Sequence, residues 1–569
     1  MISFDARSVA SSLPRTRVPE GGINLEAEIS SEDASLIEGW TLFPSETVAC
    51  VEISVDGRVV GRARPAVSRP DVARVRADVD AGLSGFEYWL EPADLPQRAQ
   101  RIVLGARAVG TNGTTLELTE DAPVAHGNGA STGAGQSVAA SSDRALTGLS
   151  EQIDDIISRA PRPRSYPLRL LAFTHHLGYG GAQLIMAEVL RVLRSETGCE
   201  ITLVSYEDGA LRDVVEALGI PVRIVKADRS QDPIRYEREL LRMAEWAAPQ
   251  GFNAVIANTI EPFLGIDLAD RLGIPSAWLV HESYDPEVWW RLSHGGRRGG
   301  KRAYVWQRMC YALRTTSALV FASERTRQFF LSYGDPQRLI TAPTGIMLDD
   351  IDRYRARVDR RQLRRRLDIA DEAVVVLCLG TIEPRKGQTA LAVAFSHVAQ
   401  RFPGARLVLV GETEVPALQH ISDELRRFSV RAGLESRLAV LPLTADPYHW
   451  LALADLLVLS SDIESLPRVV QEAMAFGVPV IGTSIFGVTD LIEDGRTGYL
   501  CEANDVGALR AALTRALQND DAGREAMAQA AAESVRREHD ARRYGRWIAR
   551  LLHTLIARPN AFPSEVAGT

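Results

Sequence analysis

Two glutamates separated by seven residues, Glu464 and Glu472, are the clearest candidates for chemistry in this 569-residue sequence. The run DLLVLS before them is typical of a buried parallel strand, and Pro467 suits the first turn of the helix that follows. Phe476-Gly477 then ends that helix before the apolar run VPVI. We therefore expect both carboxylates at one end of a sheet. Acidic residues are favoured near a helix start in any protein, so the spacing alone does not assign a function.

A basic turn is the second candidate, GTIEPRKGQ at residues 380–388. It follows the apolar run VVVLCLG and opens the next predicted helix, whose backbone N–H groups make a ready anion site. Arg385 and Lys386 add two cations there, and Gly380 begins the turn. The turn lacks the GK[ST] sequence of a Walker A loop. On a plainer interpretation the two cations are surface charges.

A glycine turn and a histidine each follow a predicted strand farther upstream. In LGYGGAQ, Gly180 and Gly181 would let the backbone approach a ligand closely. A dinucleotide fingerprint needs a third glycine where Gln183 stands, which weakens a dehydrogenase hypothesis. His281 ends the run SAWLVHE. A lone histidine after an apolar strand is often structural, and its position at a strand end is what makes it a site candidate.

The order of elements predicts the fold class. From residue 168 apolar strands alternate with helical stretches, and a second such run begins at residue 373. This alternation predicts an α/β protein with two doubly wound, Rossmann-like domains facing a cleft. Before them, Asp56-Gly57 and Asn112-Gly113 are hairpin signals between strand-like runs. They predict an all-β domain, roughly an immunoglobulin-like sandwich, although other β architectures fit the pattern.

Composition shifts place the expected domain boundaries. A stretch rich in Gly, Ser and Ala begins at residue 125 and predicts a flexible linker, with a short helix at 146–157. The expected division is an all-β domain at 1–125, linker and short helix at 126–164, Rossmann-like domains at 165–345 and 346–535, and a C-terminal helix and tail at 536–569.

Charge and cysteine content limit the partners. The net charge is −8, which does not favour nucleic acid. The five cysteines are scattered, so neither a disulfide framework nor a zinc site is predicted, and a reducing compartment fits. The sequence has no signal-peptide stretch and no run of the roughly 18–20 apolar residues that a membrane span needs. We expect a cytoplasmic protein, with peripheral contact at the inner membrane face possible through basic stretches at 291–302 and 355–369.

The two glutamates followed by AMAFGVPVI, together with the basic turn, resemble the donor-binding signature of the retaining glycosyltransferases of family 4, also called group 1. The resemblance covers roughly residues 168–555. It implies the GT-B fold, with the acceptor domain at 165–345 and the donor domain at 346–535. The implied reaction moves a sugar from a nucleotide-diphosphate sugar to a hydroxyl acceptor with retention at the anomeric carbon.

The same resemblance implies a role for each candidate residue. Glu472 should accept hydrogen bonds from the ribose hydroxyls, and Glu464 from the transferred sugar. Arg385 and Lys386 should stabilise the leaving diphosphate, so no divalent metal or other cofactor is expected. His281 should lie near the transferred sugar. The remaining candidates for donor binding are Gly180, Gly181, Gly380, Gly487 and Leu466.

Two segments depart from the family pattern. Glu464 is followed by Ser-Leu-Pro where the family usually has Gly-Phe-Gly, which places Leu466 in the sugar pocket. In FGVTDLIEDG, Phe486 and Asp490 replace a glycine and a glutamate, while Gly487 is kept. We therefore expect a sugar pocket that differs from the commonest type.

Two alternatives stay open at this point. A nucleotide-sugar epimerase shares the GT-B fold and would give a product without an acceptor. A non-catalytic glycan-binding protein would use the β domain as its working part. The presence of an all-β module beside a transferase favours polysaccharide or cell-surface glycan synthesis, with a glycan or lipid-linked acceptor.

Overall fold

The computed structural model describes residues 22–27, 29–30, 35–42, 48–67, 85–90, 95–96, 100–111, 114–125, 136–161, 167–226, 232–294, 304–367 and 369–558. The chain forms two compact units. The first unit contains residues 1–129, 351–463 and 472–534, and the second contains residues 130–350, 464–471 and 535–569.

The N-terminal part of the first unit is all β, as expected. Its strands are β1 (Gly22–Ala27), β2 (Ile29–Ser30), β3 (Ser35–Leu42), β4 (Val48–Val55), β5 (Arg58–Val67), β6 (Gly85–Leu90), β7 (Arg101–Gly110) and β8 (Thr115–Ala125). The hydrogen-bonded order is β1-β3-β6-β5-β4-β7-β8-β2, antiparallel except for the β2–β8 pair. Because β1 and β2 follow each other along the chain, the sheet curls back on itself. The likeness to an immunoglobulin domain stays a prediction.

The predicted hairpin at Asp56-Gly57 is confirmed. Both residues have positive φ, 48° and 78°, as a two-residue hairpin turn requires. Asp56 also accepts a hydrogen bond from Val103 N through its side chain at 2.8 Å. The second predicted hairpin, Asn112-Gly113, lies outside the described residues.

The second part of the first unit is a six-stranded parallel sheet in the order β18-β17-β16-β19-β20-β21. Its strands are β16 (Val374–Leu379), β17 (Ala405–Glu412), β18 (Leu438–Pro442), β19 (Leu456–Leu459), β20 (Val480–Thr483) and β21 (Tyr499–Cys501). The core beneath its helices is apolar, with Val376, Leu391, Phe395 and Leu407 buried.

The second unit is built on a seven-stranded parallel sheet in the order β11-β10-β9-β12-β13-β14-β15. Its strands are β9 (Arg169–His176), β10 (Glu200–Glu207), β11 (Val222–Ile224), β12 (Ala254–Asn258), β13 (Ser276–Val280), β14 (Ala318–Phe321) and β15 (Leu339–Thr341). Strands β12, β13 and β14 are buried along their whole length, as strands covered by helices on both faces should be. Two doubly wound parallel sheets therefore confirm the predicted fold class.

The helices that accompany the seven-stranded sheet begin with α1. They are α1 (Gln136–Arg159), α2 (Gly181–Thr197), α3 (Leu211–Glu216), α4 (Pro233–Ala247), α5 (Phe263–Leu272), α6 (Pro286–His294), α7 (Tyr304–Thr315) and α8 (Glu324–Gln328), with 3-10 helices at Ala248–Gln250 and Pro336–Arg338. Helix α1 begins at Gln136 rather than near residue 146. The alanines at 139, 140 and 145 and Arg144 have good helix propensity, which a linker interpretation of the composition overlooks.

The remaining helices follow in chain order. They are α9 (Leu348–Arg357), α10 (Arg360–Arg366), α11 (Gln388–Ala399), α12 (Pro416–Arg431), α13 (Pro447–Leu453), α14 (Arg468–Phe476), α15 (Val506–Gln518), α16 (Asp521–Glu538) and α17 (Ala541–Ala557), with a 3-10 helix at Pro384–Lys386. Within the described part of the chain, no helix has both the length and the apolar character that crossing a membrane requires.

The last helix, α17, belongs to the second unit. Its Ile548, Leu551 and Leu552 are buried in the same core as Leu170 of β9. Gly545 lies so close to α2 that a Cβ added to it would be 2.6 Å from the Cβ of Val192. Helix α17 therefore completes the core around the seven-stranded sheet of the second unit and is not a separate segment.

Candidate functional site

In the first unit, the basic turn is tied to the carboxyl end of two strands. Gly380 follows β16 with φ +145° and donates its N–H to Val410 O at 3.0 Å. Ile382 N donates to Gly411 O at 2.8 Å. A Cβ on Gly411 would lie 1.8 Å from the carbonyl oxygen of Gly380, so glycine is required at position 411. These contacts fix the path of the turn before it reaches the two cations.

Arg385 and Lys386 lie in the 3-10 helix that precedes α11. The Arg385 guanidinium pairs with Glu383 at 2.7 Å and donates to Ile463 O at 3.4 Å. The carbonyl oxygen of Lys386 accepts a hydrogen bond from Ser460 Oγ at 2.9 Å. The basic turn is therefore held against the end of β19, where the helix dipole of α11 also favours an anion.

Gly387 and Gln388 complete this turn. Gly387 has φ +66°, and a Cβ there would lie 2.1 Å from Ser460 O, so only glycine fits. The Gln388 side chain is buried and donates from Nε2 to Thr381 O at 2.9 Å. Sequence reasoning missed Gln388, because nothing in the pattern shows that its amide folds back onto the turn.

A small cavity opens beside the basic turn at the carboxyl edge of the six-stranded sheet. The ends of β19, β20 and β21 and the first turns of α11 and α15 contribute its walls. It is lined by Pro384, Arg385, Gly387, Ala390, Ser460, Asp462, Thr483, Glu502, Asn504, Asp505 and Leu509. The charged residues among these are one cation, Arg385, and three carboxylates, Asp462, Glu502 and Asp505. The charge on these carboxylates should therefore influence any anion held at the turn.

Glu472 lies in helix α14, as predicted, and 4% of its surface is exposed. Its neighbours Val470, Ala473 and Met474 are buried and form the core face of the helix. Gly487 belongs to the same unit as Glu472 and has φ +80°, a left-handed conformation that favours glycine. The structure therefore places Gly380, Arg385, Lys386, Glu472 and Gly487 in the first unit.

Glu464 and Leu466 belong to the second unit, in the segment 464–471. This segment is anchored by Arg468, whose guanidinium binds both carboxylate oxygens of Glu188 in α2, at 2.6 and 2.8 Å. Both side chains of this ion pair are largely buried. Ser465 adds a hydroxyl contact with Thr326 at 3.2 Å. Glu464 itself is half-buried, and Leu466 is buried.

His281 lies at the end of β13, where it meets the end of β12. Its Nε2 is 3.0 Å from Asn258 Oδ1, and Asn258 Nδ2 donates to Ala182 O at 3.1 Å, next to the glycine turn. Because the Asn258 amide nitrogen is used as a donor, its oxygen is the acceptor from His281, which leaves Nδ1 of the imidazole as an acceptor. Burial lowers the pKa of His281 to about 4, so the ring is neutral at pH 7.

The glycine turn meets a second histidine through Gln183. Gly180 precedes α2, and a Cβ there would lie 2.2 Å from Gln183 Oε1; the exposed Gly181 is the first residue of the helix. Gln183 Nε2 is 3.1 Å from Nε2 of His175, and Nδ1 of that imidazole is 2.8 Å from Thr259 Oγ1. An amide nitrogen only donates, so the contacts favour a His175 tautomer with its proton on Nδ1.

Thr259 has φ +76°, which is rare for a β-branched residue. Its N–H donates to Leu279 O at 2.8 Å, and its carbonyl accepts from Trp278 Nε1 at 2.6 Å. Both oxygens of Glu282 accept from Ile260 N at 3.1 Å. Strained residues held by several contacts cluster at functional sites. This network at the strand ends is therefore a second candidate region.

Sequence reasoning found His281, Gly180 and Gly181 in this region but missed His175, Gln183, Asn258 and Thr259 as site residues. Asn258 and Thr259 end the apolar run NAVIANT in the same way that His281 ends its own strand. Ligands of open α/β sheets bind outside the carboxyl ends of the strands, so these sequence positions could have identified Asn258 and Thr259 as site candidates. The strain at Thr259 has no sequence signal, because a threonine gives no indication of positive φ.

We predict that the free energy of unfolding depends on pH through Glu282 and that Glu282→Gln changes this dependence. Burial raises the pKa of Glu282 to about 7 from 4.5, against the backbone N–H groups that lower it. The folded state then holds this proton more tightly, so the stabilisation is present below pH 4.5 and is lost as pH rises to about 7. The free energy of unfolding of wild type minus that of Glu282→Gln should therefore fall over this range.

Urea unfolding of both proteins at several pH values between 4.5 and 7 tests this prediction. Since His281 has a lowered pKa, it acts in the opposite direction, losing stabilisation as pH falls from 6.5 towards 4. Subtracting the variant from the wild type removes this common contribution. A difference that rises with pH would contradict a raised pKa for Glu282.

Two doubly wound sheets with candidate binding residues at their carboxyl ends define the class: an α/β protein of GT-B fold. HepE of Anabaena, solved in complex with UDP and glucose, matches 68% of this chain and 100% of its own with a TM-score of 0.57 and 21% identity. Residues 179–350 match the model of Glycosyltransferase Family 4, and residues 359–534 match that of glycosyl transferases group 1. The chain belongs to this glycosyltransferase family.

Curated relatives are similar over different lengths. A D-inositol 3-phosphate glycosyltransferase of Nocardioides is 27% identical over 395 residues, which are 64% of this chain and 83% of the relative. A protein of the same name from Geodermatophilus obscurus is 32% identical over 207 residues, which are 34% of this chain and 44% of the relative. The second match thus spans less than half of the relative's length.

Proposed function

We propose that this protein is a retaining, metal-independent glycosyltransferase that moves a hexose from a nucleotide-diphosphate sugar to a hydroxyl acceptor. The observation that carries the proposal is the basic turn. Arg385 and Lys386 lie at the start of α11, on a backbone path that Gly380, Gly387 and Ser460 constrain. Such a turn suits a diphosphate because the helix N-terminus and both side chains contribute positive charge.

The reaction breaks the bond between the anomeric carbon of the donor sugar and the diphosphate oxygen. Negative charge grows on that oxygen, and Arg385 and Lys386 stabilise it electrostatically as the bond lengthens. The acceptor oxygen forms the new bond to the anomeric carbon, and its proton passes to the departing diphosphate. The two cations supply the positive charge that a divalent ion would otherwise supply, so no cofactor is included in the proposal.

The remaining candidates bind and orient the donor. Glu472 accepts from the ribose hydroxyls, and Glu464 accepts from hydroxyls of the transferred sugar. Gly487 presents backbone N–H groups, and Leu466 shapes the sugar pocket. His281, which is neutral at pH 7, supports hydrogen bonding to a hydroxyl at Nδ1 rather than charge stabilisation.

The acceptor side is assigned to the strand-end network of the second unit, next to Gly180 and Gly181. The proposed acceptor is a glycan or a lipid-linked molecule, and the proposed role is in polysaccharide or cell-surface glycan synthesis. A cytoplasmic location is supported by the five cysteines, all of which are free thiols. Exposed arginines on α10, Arg361, Arg365 and Arg366, support peripheral contact with an anionic membrane face.

Ligand-induced thermal stabilisation tests the donor assignment. UDP-, GDP- and ADP-sugars are titrated against the purified protein, with and without EDTA, beside Glu472→Ala. One nucleotide class should stabilise the wild type saturably and equally in EDTA, by about 2.7 kcal/mol at 100 times Kd, and the variant should lose the effect. A folded wild type that binds none of these donors would overturn the proposal. A product formed from the donor without any acceptor would instead support an epimerase.

A further inference from the structure

The N-terminal β domain packs directly on the donor-side sheet of its own unit. Strand β4 contacts helix α15, and β5 contacts α11, the helix that the basic turn opens. Gly507 of α15 lies against Ala49, and a Cβ on this glycine would be 3.1 Å from the Cβ of that alanine. Cys50 is also buried, although it is not part of the core cluster of the β domain. The β domain is therefore docked on the two helices that flank the cavity.

An ion pair holds the β domain against the turn that precedes α15. Arg62 of β5 contacts Asp505 Oδ2 at 3.1 Å, and its carbonyl oxygen accepts from Asn504 Nδ2 at 3.4 Å. The other oxygen of Asp505 caps α15 by accepting from Ala508 N at 2.8 Å. Asn504 has φ +57°, so the turn is a specific backbone conformation. Arg62 thus contacts both residues that define the start of α15.

The turn held by Arg62 also lines the cavity beside the basic turn. Asn504 and Asp505 form one part of its wall, and Pro384, Arg385 and Gly387 form another. Arg62 neutralises the carboxylate of Asp505 at this wall. Without Arg62, an additional negative charge would face the region that holds a diphosphate, and like charges repel most strongly where water is partly excluded.

We propose that Arg62 is a positioning residue of the donor site, which it serves by holding and neutralising Asp505, and that the β domain is a fixed part of the donor-binding half. This inference rests on the proposed function, because it concerns the affinity for the nucleotide diphosphate. It gives the β domain a role in donor binding that does not depend on binding a glycan.

Three substitutions separate the effect of charge from that of packing. Arg62→Met keeps the aliphatic stem and removes the charge. Asp505→Asn removes the partner charge and keeps a good helix cap, since asparagine caps as well as aspartate. Arg101→Met is the matched control, because Arg101 also lies in the β domain but pairs with Asp121, whereas Arg107 shares the partner Glu52 with Arg62.

Titration calorimetry measures the Kd of UDP, GDP or ADP, whichever the wild type binds. Arg62→Met should raise Kd about 3- to 5-fold at low salt, because the carboxylate of Asp505, no longer neutralised, then repels the diphosphate. The increase should shrink at 0.5 M salt because exposed charges are screened. The double variant Arg62→Met/Asp505→Asn should return to within about 2-fold of the wild type, and Arg101→Met should not change Kd.

The outcomes separate the two proposals. A wild type that binds no nucleotide overturns the proposed function and this inference together. A wild type that binds, with Kd unchanged in Arg62→Met, overturns the inference alone. An increased Kd that Asp505→Asn does not rescue shows a packing defect and also overturns it.

Discussion

Lys386→Ala is expected to lower kcat/KM for sugar transfer by about 100- to 1,000-fold, which corresponds to removing one preorganised charge-stabilising group from a transition state. The ammonium belongs to a turn whose path is set by the close contact between Gly387 and Ser460, so truncating its side chain should leave the turn in place. The loss should appear in kcat more than in KM, because negative charge on the leaving diphosphate grows as the bond breaks.

Steady-state kinetics with the donor class that stabilises the wild type measure this effect. Arg550→Ala, which removes an exposed cation of helix α17, is the control and should leave kcat/KM unchanged. Thermal unfolding of both variants shows whether the fold is kept. Activity of Lys386→Ala within about threefold of the wild type would contradict a role for this residue in departure of the diphosphate.

Glu188→Ala should lower the free energy of unfolding by about 3–5 kcal/mol, the usual result of removing one partner from a buried ion pair. Arg468 is 8% exposed at its side chain and binds both oxygens of that carboxylate, so the variant leaves a buried guanidinium without these two hydrogen bonds. Because Arg468 anchors the segment 464–471, the position of Glu464 should also become less defined, and activity should fall with stability.

Urea unfolding compares this variant with Glu196→Ala on the same helix. Glu196 pairs with Arg546 at 2.5 Å, but that arginine is 56% exposed, so its loss should cost less than about 1 kcal/mol. The double variant Glu188→Leu/Arg468→Met should recover most of the stability, since apolar replacements often compensate for a buried ion pair. Equal losses in the two single variants would contradict the assigned importance of burial.

The fold class could be predicted because its signals are local. Strands such as β12 are short apolar runs that end in polar residues. The basic turn follows the first strand of the second series of strands and helices, so it can also be placed from the sequence. The placement of Arg385 and Lys386 in a turn, and of Glu472 in a helix, could be predicted for the same reason, since each depends on its own strand, loop and helix. Local pattern was also enough to place the hairpin at Asp56-Gly57.

The rest depends on contacts between distant parts of the chain. Gln388 is distinguished by its side-chain bond to Thr381, and His175 by its position beside Gln183 and Thr259. A single sequence shows neither contact, because both arise only when separate strands end at the same edge of a sheet. The docking of Arg62 on Asp505 joins residues more than four hundred positions apart and has no sequence pattern at all.

The return of helix α17 to the core of the second unit has a consequence for synthesis of the chain. Ile548 and Leu552 fill a core whose strands lie between Arg169 and Thr341, so that core remains open to water while the whole intervening α/β domain is made. Translation proceeds at about 5–20 residues per second, and domains generally fold as they emerge from the ribosome. The six-stranded sheet of the first unit can therefore form before the core around the seven-stranded sheet of the second unit is complete. Until α17 has been made, the face of α2 around Val192, which Gly545 covers in the folded protein, stays exposed to water.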